Sequence, residues 1–195
     1  VFAANDIAYV SRTSRTIPED LSAYSMINVI TGKNRQPLAD STIAALGNYV
    51  EAGGHLLVSG SYLGNSFAPI GHYRLQAARA TRSGIIRWET TDTLHAHTSQ
   101  TDTLSIPPIP QRKTFHLETR PNDRQLFAEA PEGICPADIE ATRLGLYEDM
   151  RVGIGVRRES ALGGKAIILA FPIEAVQEWQ SLLQQIINQL KDETL

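Results

Sequence analysis

The chain has one cysteine, Cys135, in 195 residues. An internal disulfide and a cysteine-based structural zinc site are therefore both excluded. No apolar run approaches the ~20 residues that a membrane-spanning helix needs. Val1-Phe2-Ala3-Ala4-Asn5-Asp6 has neither a basic n-region nor a long apolar h-region. An opening without an initiator methionine fits a mature fragment or an excised domain. Charge of one sign is also lacking: 18 Lys and Arg stand against 21 Asp and Glu, a formal net charge of -3. Nothing in that balance attracts nucleic acid or an anionic membrane. The longest basic cluster, Arg151 to Arg158, is interrupted by glycine and apolar residues and reads as a solvated strand face. What is present is an ordinary globular composition, 42% hydrophobic and 20% charged, long enough for one domain over residues 1–195.

The first third reads as strand, turn, helix, strand. Ile7-Ala8-Tyr9-Val10 is a short apolar run, and Pro18-Glu19-Asp20-Leu21 has the form of a helical turn. Met26-Ile27-Asn28-Val29-Ile30 is nearly continuously apolar, as a strand buried on both faces would be. Asp40 or Ser41 is placed to cap a helix whose Ile43, Leu46 and Val50 share one face, with Gly53-Gly54 as its stop. His55-Leu56-Leu57-Val58-Ser59 is a second buried-type strand, which makes a parallel βαβ unit. The pattern changes at Ile85. Short β-like runs follow at Ile85–Trp88, Phe115–Glu118, Leu144–Tyr147 and Val152–Val156, and Thr90 to Gln111 reads as an exposed loop. The α/β pattern returns with Ala166–Phe171 and an amphipathic helix from about Glu174 to Leu190. The expected fold is an α/β three-layer sandwich with a mostly parallel sheet and a β-rich insertion at about 85–160.

The order of these pieces resembles the class I glutamine amidotransferase-like superfamily, a flavodoxin-like architecture. Val29-Ile30-Thr31-Gly32 is similar to its oxyanion-turn strand. Glu51 through Gly64 is similar to the strand that delivers a nucleophile on a Gly-x-Cys-x-Gly elbow. Leu169-Ala170-Phe171-Pro172-Ile173-Glu174 is similar to the strand that delivers the histidine of a His-Pro-Glu segment. Gly53–Gly60, Pro131–Ile134 and Phe171–Glu174 further resemble the C-terminal region of exported Bacteroidetes proteins labelled xanthan lyase or golvesin-domain proteins. That resemblance implies an exported location, periplasmic or at the cell surface, and a parent protein that is a lyase or cell-wall amidase. It also implies that a first strand of the fold precedes Val1.

Amide hydrolysis on this frame requires an activated nucleophile, a base and backbone oxyanion donors. Here Tyr62 holds the nucleophile's position, and Phe171 or Pro172 holds the histidine's, so Glu174 has no ring to orient. A tyrosine with an ordinary pKa of about 10 is a poor nucleophile near neutrality. Ser61 is the fallback, although it lacks a Gly-x-Ser-x-Gly setting. His55 is expected at the far end of its strand, while His72 and His116 are distant in sequence. His95 and His97, with Asp92 or Asp102, have the spacing of a metal site, but a polar loop that contains histidines explains them as well. Tyr73, Arg74 and Trp88 are candidates for a carbohydrate groove or for the core. The pocket expected at the strands' C-terminal edge comprises Gly32, Lys33, Asn34, Arg35, Gly60, Ser61, Tyr62 and Glu174. No cofactor is expected. The reading is a non-catalytic accessory domain whose partners are neighbouring domains of the same polypeptide and glycan or cell-wall material. The alternative is a hydrolase using Ser61 or a noncanonical site.

Overall fold

The computed structural model describes residues 8–13, 16–64, 66–67, 73–76, 84–90, 111–121, 123, 126–137 and 139–191. In chain order the described elements are β1 (Met26–Gly32), α1 (Asp40–Glu51), β2 (His55–Gly60), β3 (Tyr73–Gln76), β4 (Ile85–Thr90) and β5 (Gln111–His116). They continue with β6 (Gly133–Cys135), β7 (Ala141–Arg143), β8 (Gly145–Tyr147), β9 (Gly155–Glu159), β10 (Lys165–Leu169) and α2 (Trp179–Lys191). Five strands form a mixed sheet in the order β1-β2-β10-β9-β7. β1, β2 and β10 pair in parallel, β9 runs against β10, and β7 runs against β9. Four of the five strands therefore point the same way. A second, antiparallel sheet has the order β5-β4-β8, and β3 pairs with β6.

The continuous apolar runs of the central strands have a direct cause, because each face of the sheet is covered by a helix. Leu56, Val58, Ala166 and Ile168 pack with Ile43, Leu46, Tyr49 and Val50 of α1. Their alternating neighbours Leu57, Ile167 and Leu169 pack with Leu182, Leu183, Ile186 and Ile187 of α2. Successive side chains of a strand point to opposite faces, so a strand covered on both must be apolar throughout. The antiparallel sheet joins the α2 side of this core through Ile86, Trp88 and Phe115.

Several expectations need correction. β1 is not buried on both faces: among the described residues it pairs only with β2, and Ile30 is 56% exposed. No side chain caps α1, whose N-cap residue is Ala39. Instead of a helical turn at Pro18–Leu21, Asp20 accepts from the Ser22 backbone N–H and hydroxyl. Residues 8–10 form no strand, with Tyr9 and Val10 exposed; Ile7 lies outside the described residues. Within the β-rich stretch expected at about 85–160, β4, β5 and β8 form the second sheet, while β7 and β9 extend the main one. Nor is the Arg151–Arg158 segment a freely solvated face. Arg158 is mostly buried and paired with Glu51 at the end of α1, and Arg157 is paired with Glu159. The last helix starts at Trp179 rather than Glu174, because Ile173–Ala175 forms a 3-10 turn. Val176 then bridges to Leu117, and the Gln177 N–H donates to the His116 carbonyl, which holds the chain extended. Residues 91–110 of the expected loop, with Asp92, His95, His97 and Asp102, lie outside the described residues, as does His72.

Candidate functional site

Parallel strands end at one edge, so whatever follows β1, β2 and β10 gathers there. β1 closes in a register shift between Ile30 and Gly32. Gly32 takes φ +56°, and the Asn34 N–H donates to the Thr31 carbonyl at 3.0 Å. This tight turn, which a Cβ at residue 32 would strain, sets Lys33, Asn34 and Arg35 at the edge. Asn34 is used locally, accepting from the Gln36 N–H through Oδ1 at 3.1 Å. At the end of β2 the Gly60 N–H donates to the Phe171 carbonyl at 3.0 Å, and the Ser61 N–H donates to the Gly32 carbonyl at 2.8 Å. The three strand ends are thus tied to one another by backbone bonds.

Tyr62 follows with φ +63°. For a residue with a Cβ that conformation costs roughly 1–2 kcal/mol, so the surroundings must impose it. Gly64 shows how: its buried N–H donates to Glu132 Oε2 at 2.7 Å, and the Glu132 N–H donates to the Ala170 carbonyl at 2.8 Å. Glu132 is only 1% exposed. Accordingly Tyr62→Gly should be more stable than Tyr62→Ala by about 1 kcal/mol in urea denaturation. Both variants lack the ring, and only alanine keeps the strained Cβ. At an ordinary extended position the order would reverse.

After Pro172 the 3-10 turn brings Glu174 back over the Gly32 turn, where a Cβ at residue 32 would lie 3.5 Å from Glu174 Oε1. Burial raises the Glu174 carboxyl above its ordinary pKa, with its own backbone N–H and Lys33 opposing. Its Oε2 is buried without a hydrogen-bond partner among the described residues. The Arg35 guanidinium lies 5.7 Å from the centre of the Tyr62 ring and pairs with Glu129, and Lys33 Nζ lies 3.3 Å from the centre of the Phe127 ring. A turn poor in side chains, two cations, a half-buried phenol and a half-buried carboxyl therefore share one edge.

Of the expected pocket residues, Gly32 and Ser61 share a backbone bond, Arg35 lies beside the Tyr62 ring and Glu174 beside Gly32, while Asn34 serves the turn itself. Ser61 is 0% exposed, and its hydroxyl has no hydrogen-bond partner among the described residues. Phe171 is also 0% exposed and stacks edge-on against Tyr147. His55 begins β2, at the end away from Ser61, and His116 Nδ1 is 2.8 Å from Glu178 Oε1. Trp88 is fully buried in the core and not in a carbohydrate groove. Sequence reasoning missed Phe127, Glu129 and Glu132. They come from the segment between β5 and β6, and only Glu132, set between Pro131 and Gly133, falls within a run that carries the family resemblance. A single acid in a turn gives no sign that it will be buried.

No protein-family model matches the chain, and no curated protein matches it in sequence. Among solved structures it is similar to the mmIFT52 N-terminal domain, with a TM-score of 0.63 at 12% identity, over 99% of this chain and 88% of that one. A weaker likeness is to the exo-β-1,4-mannosidase Op5Man5 from Opitutaceae bacterium strain TAV5. It has a TM-score of 0.43 at 14% identity, over 86% of this chain and 23% of the mannosidase, too coarse to assign a fold. The chain shares its mixed α/β fold with the mmIFT52 N-terminal domain across nearly its whole length.

Proposed function

We propose that this chain is a non-catalytic accessory domain on a flavodoxin-like, amidotransferase-like frame, and that its strand-end edge binds glycan. In this reading it belongs to an exported multidomain protein acting on polysaccharide or cell wall, and it also holds neighbouring domains of that polypeptide. The location and parent protein rest on the sequence resemblance. The observation that supports the reading is Tyr62 at φ +63°, which by the sequence resemblance stands where amidotransferase-like proteins keep their nucleophile. The strained turn displays a phenol beside Arg35. The adjoining hydroxyl of Ser61 and the ring of Phe171 are both sealed in the core.

A phenol face, a guanidinium and a carboxyl suit a sugar, which offers C–H faces to a ring and hydroxyls to planar polar groups. Calorimetric titration with a panel of bacterial oligosaccharides is the test. Binding by the native chain that weakens by about tenfold in Tyr62→Ala supports the reading. Equal binding by both proteins, or none by either, removes it. The hydrolase alternative has its own test: a fluorophosphonate should leave Ser61 unlabelled, and turnover lost in Ser61→Ala would reinstate it.

A further inference from the structure

Beside the strand-end edge, and sharing Glu174 with it, lies a groove of about 340 Å³ lined by Glu118, Asp123, Leu126, Gln177 and Trp179. Its volume is at the small end of ligand pockets, enough for one monosaccharide unit and little more. Trp179 opens α2, yet its side chain is not part of the core that α2 builds. The residue is 39% exposed, whereas Leu182, Leu183, Ile186 and Ile187 are buried. Leu126, 43% exposed, lies on the same groove. A large aromatic left in water beside a second apolar side chain forms a platform for an apolar ring face.

The polar lining sets the charge of the guest. The Gln177 amide donates to Glu118 Oε1 at 2.6 Å, a fixed polar pair beside the platform. Asp123 and Glu174 bring the acids of the lining to three, and no Lys or Arg is among its described residues. Burial raises the Glu174 carboxyl, with Lys33 only partly opposing; a cation arriving in the groove would relieve that. An aromatic face bounded by carboxylates attracts an ammonium group through both the ring quadrupole and the charges.

We infer that this groove binds a pyranose carrying a free amine, its ring on Trp179 and its ammonium toward Glu118 and Asp123. The inference rests on the glycan-binding reading of the edge and names the sugar class taken beside it. A fully deacetylated glucosamine tetramer should quench tryptophan fluorescence saturably. The chain has two tryptophans, and Trp88 is 0% exposed, so the signal reports Trp179. The acetylated tetramer should bind about tenfold more weakly, and spermidine, an amine without a ring, should match neither.

In calorimetry, Trp179→Ala should lose the deacetylated tetramer. Glu118→Gln, a milder exposed change, should weaken it in the same direction and serves if the first variant fails to fold. Equal binding of the acetylated tetramer or of spermidine overturns the inference. So does binding that survives Trp179→Ala but is lost in Tyr62→Ala, which leaves the edge reading standing. Failure of every oligosaccharide to bind overturns both.

Discussion

Phe171→His should lower the free energy of unfolding by about 3 kcal/mol or more and should yield no hydrolase activity. The substitution supplies a histidine at one of the two positions, Phe171 or Pro172, that the proposed amidotransferase-like reading assigns to it. Phe171 is 0% exposed, in the core shared with α2, with its ring centre 6.4 Å from that of Tyr147 at an interplanar angle of 68°. An imidazole there would give up an aromatic contact and take a polar ring into a place lined by apolar side chains. Both changes act against folding, and the backbone bond from Gly60 to the residue's carbonyl would remain to hold the strand end. Urea denaturation followed by fluorescence of Trp88, which lies in the same core, measures the loss. An unchanged midpoint together with new esterase turnover would mean that the position faces the strand-end edge and that Phe171 merely fills an intact catalytic frame.

The parallel core was legible in the sequence because its pattern has one physical origin. Leu56 to Val58 and Ala166 to Leu169 are apolar without interruption, and only a sheet covered on both faces asks for that. β1 misled for a related reason: Ile27, Val29 and Ile30 carry the same composition, but an edge strand uses it partly on an exposed surface. The edge position depends on which strands pair, and a linear pattern does not encode pairing. The same limit hid the entry of β7 and β9 into the main sheet, since three-residue strands such as Ala141–Arg143 are too short to show a period.

At the site, Gly32 and Gly60 were legible as punctuation after apolar runs, Tyr62 only through the segment that resembles a nucleophile elbow, and the strand-end geometry followed from parallel pairing. Glu174 was legible only through the segment that resembles His-Pro-Glu. Phe127, Glu129 and Glu132 reach the edge by tertiary folding across long stretches of sequence, 94 positions for the pairing of Arg35 with Glu129 and 68 for that of Gly64 with Glu132. No local period marks such a contact. The start of α2 was misplaced for a complementary reason: Val176 fits the helical spacing of the later residues but is held extended by its bridge to Leu117. Tertiary pairing overrode local pattern there.

Glu132→Ala should cost about 2 kcal/mol of stability and release Tyr62 from its strained turn, whereas Glu132→Gln should keep most of both. The distinction isolates what the carboxylate does. Glu132 Oε2 accepts from the buried Gly64 N–H at 2.7 Å, across 68 positions of sequence. An alanine leaves that donor without its acceptor, in a place water does not reach, and a buried unmet N–H costs about 1–3 kcal/mol. A glutamine still offers a side-chain oxygen in nearly the same place. Burial holds the pKa of the Tyr147 phenol well above its ordinary value, with the charge of Glu132 adding to the rise; a neutral phenol is not repelled by that charge, so glutamine gains nothing there. Oligosaccharide binding at the strand-end edge should then follow the turn, weakened in Glu132→Ala and retained in Glu132→Gln. If glutamine were as damaging as alanine, the charge of Glu132 and not its bond to Gly64 would be what holds Tyr62 at the edge.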